Sequence, residues 1–260
     1  MHETTLPQVC EYSCWNGKKV PVRHFNIAAI SVRIVYNSAG DHDPNGLIYV
    51  LKENEDAIRK AVAKNPFSPS ELVQPLVIRA NLGDLLIVDF ENKLNRPASI
   101  HIQDVEYNVL DSDGAVVGFN PDSTTENKKR YYWYADKEGI FMFHDMADPR
   151  SSEEATNVHG LFGALIVEAV GATWTDPVTG DELKSGCYAD IHHPAMPDFR
   201  EYVTIFHDEP EIKDRNGNTP ISPETGHPES TMPINYRSEP MRNRHPHCPG
   251  CAGEEVSLSS

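Results

Sequence analysis

The sequence predicts an all-β protein: a Greek-key β-sandwich with a short inserted helix and an extended C-terminal arm. Three observations predict it. From Gln74 onward, short apolar runs recur between Gly, Pro, Asn and Asp residues, the rhythm of an antiparallel sheet protein. Within one of these runs Tyr131 and Trp133 alternate with Tyr132 and Tyr134, as the two faces of a strand require. Only one stretch carries helical spacing.

Taken in order, Val22 to Tyr36 reads as a strand region, because β-branched Ile27, Ile30, Val32, Ile34 and Val35 are dense there and Ser38-Ala39-Gly40 closes it. Asn54 to Lys64 is the helix: Asn54 is a candidate N-cap, Glu55 and Asp56 come early and lysines late, and Ile58, Ala61 and Val62 share a face. Strands are then expected over Pro75–Ala80, Leu85–Glu91, Ser99–Gln103, Arg130–Ala135, Gly139–His144, Leu161–Glu168 and Tyr202–His207. Asp208 to Ser230 is rich in Pro, Gly, Asp and Glu with little apolar periodicity, and the remainder stays polar to Ser260. The expected organisation is an N-terminal segment over 1–21, a sandwich over 22–207 with the helix near 54–64, and a linker or the start of another domain over 208–260. No internal repeat is visible.

Bulk properties narrow the function classes. A chain of 260 residues can bury a sizeable core. Hydrophobic residues make up 39%, charged ones 24%, and no apolar run approaches the length of a bilayer span, so a soluble protein without a membrane span is expected. Asp and Glu outnumber Lys and Arg by 39 to 23, a net charge of −16, which argues against nucleic acid as a partner. Met1-His2-Glu3-Thr4-Thr5 shows neither a basic nor an apolar region of a signal peptide, so either the protein is cytoplasmic or its true start lies upstream, and the compartment stays open. The five cysteines are Cys10, Cys14, Cys187, Cys248 and Cys251; with none between 15 and 186, a core held by packing rather than disulfides is expected.

Several groups carry metal-ligand chemistry. His101-Ile102-Gln103 and His144-Asp145-Met146 each place residues i and i+2 on one face of a strand. His159 precedes the Gly160-Leu161-Phe162-Gly163 turn, where it offers a third nitrogen ligand or a capping side chain. Asp145, Asp148, Glu153 and Glu154 crowd one loop; they offer oxygen ligands to a cation such as Mn2+, or form a solvated acidic loop. His245, His247, Cys248 and Cys251 form a secondary metal candidate suited to Zn2+ or Cu+, to which Cys10 and Cys14 could contribute, unless this is simply linker. Cys187, His192 and His193 read as loop residues, the two adjacent histidines pointing apart. No Ser/His/Asp order, phosphate loop or dinucleotide turn is present.

Three stretches, in this order, resemble the cupredoxin domains of multicopper oxidases: Gly83 to His101, Tyr131 to His144, and His159 to Val167. Together they cover roughly Gln74 to Glu168. Arg23–Ala29, Gly40–Pro44, Phe143–Ser152 and Tyr236–Arg244 resemble the first domain of the large bacterial members, which include manganese-oxidase-like proteins. The resemblance implies a copper cofactor, substrate oxidation coupled to dioxygen reduction in the complete protein, and further cupredoxin domains in cis or in trans as partners, with self-association left open. It also implies that the chain stops where a second domain begins, near Gly253-Glu254-Glu255, as a fragment or truncated reading frame would. In this family His-x-His pairs from the first and last domains hold a trinuclear cluster, whereas Gln103 and Met146 replace the second histidine here. Gln is a poor copper ligand and a Met thioether suits Cu(I), so His101, His144 and Met146 are expected to hold one copper weakly, with His159 as a further candidate. No cysteine lies in the sandwich strands, and Leu161 stands where the axial methionine belongs, so no blue-copper centre is expected and the chain alone is expected to be inactive. The alternative is a structural, cupredoxin-like interaction module that has lost its metal, with His101 and His144 serving only as hydrogen-bonded strand ends.

Overall fold

A computed structural model of the chain describes residues 9–10, 14–115, 128–148, 150, 154–223 and 225–240. β1 (Val9–Cys10), β2 (Cys14–Trp15) and β3 (Lys18–Lys19) form a small antiparallel meander. β4 (Val22–Ser31), β5 (Ile34–Val35), β6 (His42–Asp43) and β7 (Leu47–Leu51) follow, then a 3-10 turn over Lys52–Asn54 and α1 (Glu55–Lys64). The rest of the sandwich is β8 (Leu76–Asn81), β9 (Leu85–Asn92), β10 (His101–Ile102), β11 (Lys128–Tyr134), β12 (Gly139–His144) and β13 (Phe162–Glu168). An outer meander, β14 (Thr173–Thr175), β15 (Tyr188–His193) and β16 (Met196–Tyr202), completes the strands.

Two four-stranded sheets make the sandwich, in the orders β11-β9-β4-β7 and β10-β12-β13-β8. Each is mixed: β4 runs parallel to β9, and β8 parallel to β13. The chain passes from one sheet to the other between β8 and β9 through Gly83, whose φ of +89° favours glycine. Ile27, Val88 and Tyr131 of the first sheet meet Ile78, Phe143 and Leu165 of the second in one core. A second core joins Ile30, Ile48, Val50, Val77, Ala164 and Ile166, capped by Ile58 and Val62 of α1 and by Val203, Ile205 and Tyr236. Strands β7 and β8 are therefore buried along their whole length. Among the described residues no helix is long and apolar enough to cross a membrane.

The all-β sandwich with one short helix is as the sequence predicts, but several elements differ. The strand region from Val22 to Tyr36 breaks after Ser31, because Val32 N–H turns to the Gly46 carbonyl (2.9 Å) and β5 pairs with β6 instead. Asn54 makes no side-chain cap. The expected strand over Tyr202–His207 ends at Tyr202; Val203 to His207 is tied instead to residues 233–235, through Ile205 N–H on Asn235 Oδ1 (2.9 Å) and His207 N–H on the Pro233 carbonyl (2.9 Å). The C-terminal arm thus lies along the sandwich as far as the fully buried Tyr236. His192 and His193 are strand residues of β15, so their loop reading is corrected, whereas Cys187 does lie in the segment between β14 and β15, where its thiol is buried in the second core. Arg79 of β8, 1% exposed, reaches Glu201 of β16 at 2.7 Å with Glu168 at 3.6 Å, anchoring the outer meander by a buried ion group.

Two predictions follow from this packing. A Cβ on Gly163 would sit 2.3 Å from the Leu76 carbonyl oxygen and 2.5 Å from the Phe143 ring, so Gly163→Ala is expected to cost about 1–3 kcal/mol in urea unfolding. Burial among Phe162 and Tyr236 pushes the His207 imidazole down to about 4. Below its ordinary value near 6.5 the unfolded chain takes up a proton that the folded chain refuses, so stability is lost as pH falls through this window. From pH 7 to pH 5 the loss is about 2 kcal/mol. His207→Leu should flatten the pH dependence of the urea midpoint by that amount.

Candidate metal centre

Strand β12 alternates: Phe141 and Phe143 enter the core, while Ile140, Met142 and His144 occupy the other face. In β10, Ile102 is buried and His101 takes the opposite direction. Antiparallel pairing puts His101 directly across from His144, with ring centroids 5.6 Å apart and planes at 80°. Two imidazoles are thereby set side by side at the edge of the sheet.

Both strands are held in this register by a buried carboxylate. Asp145 Oδ1 accepts from Ser99 N–H (2.8 Å), Ser99 Oγ (3.3 Å) and Ala147 N–H (3.0 Å), and Oδ2 accepts from Thr156 Oγ1 (2.8 Å). Tyr49 donates its hydroxyl to the Ser99 carbonyl (2.5 Å), and the Ile100 N–H donates to Tyr131 Oη (3.3 Å). On the other side Gly114, with φ +79°, packs so tightly that a Cβ would fall 2.0 Å from the Ile100 carbonyl oxygen and 2.7 Å from His101 N.

The same loop fixes the His101 ring. His101 Nδ1 lies 2.7 Å from the Asp113 carbonyl oxygen, which can only accept, so Nδ1 carries the proton and a neutral ring keeps its lone pair on Nε2. Tyr107 donates its hydroxyl to Asp113 Oδ1 (2.6 Å) and so steadies the loop. Burial, and then the neighbouring His101, hold the His144 imidazole below its ordinary value, which keeps it neutral near pH 7. Neutral imidazole nitrogens are ligands without prior loss of a proton.

Of the other expected ligands, Met146 follows His144 by two residues, beyond the end of β12; it is 45% exposed, and its N–H donates to Ser99 Oγ (3.2 Å). Gln103 is exposed, with its N–H on the Met142 carbonyl (2.9 Å). His159 is placed in a different group: it is buried, with Nδ1 2.7 Å from Asp43 Oδ2, and it clusters with Asp43 and Glu211. Of the acidic loop, read as either a cation site or a solvated surface, Asp145 is consumed by the clamp and Asp148 lies between Arg150 (2.7 Å) and Arg96 (2.5 Å). The Arg150 and Arg96 guanidinium groups hold the Asp148 carboxyl well below the usual range. Glu153, His245, His247, Cys248 and Cys251 lie outside the described residues. Cys14 is disulfide-bonded, which removes it from any thiolate site.

Sequence reasoning missed Asp145 as a clamp, Asp113 and Gly114 as supports of His101, and Asp43 and Glu211 as neighbours of His159. The Asp113-Gly114 turn was the available signal, since Asp-Gly marks a tight loop. The pairing of His159 with Asp43 spans 116 residues and leaves no local trace.

Residues 70–171 match the family model of the multicopper oxidases. Over 104 residues the chain is 35% identical to a probable nitrite reductase–hydroxylamine oxidoreductase fusion protein of Kuenenia stuttgartiensis, a match covering 39% of this chain and 12% of that protein. A crystal structure of a multi-copper oxidase from Pseudomonas thermotolerans is similar with a TM-score of 0.49 and 16% identity, covering 85% of this chain and 43% of that one. A blue copper oxidase from Nitrosomonas europaea gives 0.48 and 18%, covering 86% and 56%. The segment from 70 to 171 is thus similar to the multicopper oxidases, and the chain spans only part of the length of the proteins it resembles.

Asp145→Ala leaves the Ser99 and Ala147 N–H groups and the Thr156 hydroxyl without their acceptor. It is expected to cost about 3 kcal/mol or more in urea unfolding, with Asp145→Asn costing clearly less.

Proposed function

We propose that this chain is a copper-holding cupredoxin domain of a multicopper oxidase, in which His101 and His144 bind one copper ion with Met146 at the rim of the site. The observation that carries the reading is the in-register histidine pair, with its rings 5.6 Å apart and the His101 Nδ1 proton committed to the Asp113 carbonyl. The donor set fits: two imidazole nitrogens and a thioether suit copper, Cu(I) above all. Bound copper would supply one-electron exchange. Asp113 orients His101, Asp145 keeps both histidine-bearing strands in register, and the packing of Phe143 and Ile102 holds the backbone beneath them. Thiolate copper is not part of the proposal. Cys187, the one free cysteine among the described residues, is buried in the second core, and burial pushes its thiol up to about 11.

In the complete protein we place this domain in an enzyme that couples substrate oxidation to dioxygen reduction, with further cupredoxin domains in cis or in trans supplying the remaining copper ligands. The exposed apolar side chains of Ile140, Met142 and Met146 beside the histidine pair support this, since a neighbouring domain would cover them. The flanks Arg23–Ala29 and Phe143–Ser152 support the finer assignment to the first domain of a large, manganese-oxidase-like member.

Anaerobic loading with Cu(I), desalting and elemental analysis should find about one copper per chain, without an intense thiolate-to-copper colour on oxidation. His101→Ala combined with His144→Ala should abolish retention. Unchanged copper in a folded double variant, or no copper in the folded parent, would instead make this a structural cupredoxin-like module.

A further inference from the structure

His159, set apart from the His101–His144 pair, belongs to a group with its own chemistry. We propose that Asp43, His159 and Glu211 form a second metal site, one that takes a hard-to-borderline divalent cation such as Mn2+ or Zn2+. An imidazole nitrogen and one oxygen from each carboxylate lie within 4.8 Å of one another. Ligands on opposite sides of one such ion are about 4.2 Å apart. A small inward rotation of Glu211, the one member that is not fully buried, therefore closes the set.

Charge favours a cation. Asp43 is 0% exposed, and among the described residues no lysine or arginine pairs with it; its ionic partner is His159. A carboxylate buried in this way is costly without compensating positive charge. Glu211 adds a second carboxylate, with Lys213 at 3.6 Å. A divalent ion would supply the missing charge and replace the proton now shared between His159 Nδ1 and Asp43 Oδ2.

The three side chains also come from backbone that is fixed independently of any ion. Asp43 lies in β6 opposite Ile34, with Oδ1 accepting the Asn45 N–H (2.7 Å). His159 is held by its carbonyl, which accepts the Leu47 N–H (2.7 Å). The Glu211 segment is laced to β6 by reciprocal His42–Lys213 backbone bonds of 2.9 and 2.8 Å, and the Asn45 side-chain amide donates to Glu211 Oε2 (3.0 Å). A cleft of about 430 Å3 opens onto His159 and Glu211, giving an ion a way in. With one nitrogen, two oxygens and no sulfur, the donors select against Cu(I) and so against the ion proposed for His101 and His144.

The test is a Mn2+ titration of the chelator-stripped full chain, followed by the EPR signal of the free aqua ion. One Mn2+ per chain is expected, displaced by Zn2+, and the ion should raise the thermal midpoint. Glu211→Gln should weaken uptake at least tenfold and remove the thermal shift, and Asp43→Asn should do the same. Should the buried Asp43→Asn variant fail to fold, the partly exposed Glu211→Gln decides. The double variant His101→Ala/His144→Ala should bind Mn2+ as the parent does, whatever becomes of its copper. No uptake by the parent, uptake that survives Glu211→Gln, or loss in the double variant would overturn the proposal.

Discussion

The buried carboxylate of Asp145 is the constraint on which the histidine edge depends. Strand β10 is two residues long, too short to fix its own alignment by ladder hydrogen bonds. Its alignment is imposed from two residues ahead of it: Ser99 gives both its N–H and its hydroxyl to Asp145, which follows His144 directly. One side chain thus joins the approach to β10, the exit from β12 and, through Thr156, the loop that leads to His159. Its four accepted bonds offset the cost of burying a charge with which no lysine or arginine among the described residues pairs.

The two histidine environments illustrate how surroundings decide what an imidazole does. His101 turns Nδ1 to a backbone carbonyl and faces a second imidazole, an arrangement that leaves Nε2 as its ligand nitrogen. His159 turns Nδ1 to a buried carboxylate and has another carboxylate nearby, so its surroundings are anionic. The residue type is the same, and the hydrogen-bond partner on Nδ1 and the neighbouring donor atoms differ.

Much of the fold was legible in the sequence because alternation survives wherever one strand face is covered. β12 is the clearest case, with Phe141 and Phe143 inward and Ile140 and Met142 outward. β7 escaped detection because both its faces are buried, so Leu47 to Leu51 forms an unbroken apolar run without a period. The outer meander escaped for the opposite reason: β16 carries mostly exposed side chains, and its anchor is the ion group of Arg79 rather than an apolar stripe. At the site, His101, His144 and Met146 were readable as ligand types at strand ends. The partition of the histidines into two groups was not, because it depends on Asp43 and Glu211, contributed by segments remote from His159 in the chain.

The parallel pairings have a bearing on how the protein is made. β4 begins at Val22 and pairs with β9, which begins at Leu85; β8 must wait for β13, whose partners start at Gly163, and the second core closes only with Tyr236. At about 5–20 residues per second on a ribosome, β8 is extruded several seconds before its partner exists. During that interval Leu76, Val77, Ile78 and Ala80, buried in the finished fold, lack the strand they pair with. Such long-range closure places the protein among slow folders whose nascent chains are vulnerable to mispairing, and makes chaperone protection during synthesis a natural requirement of this topology.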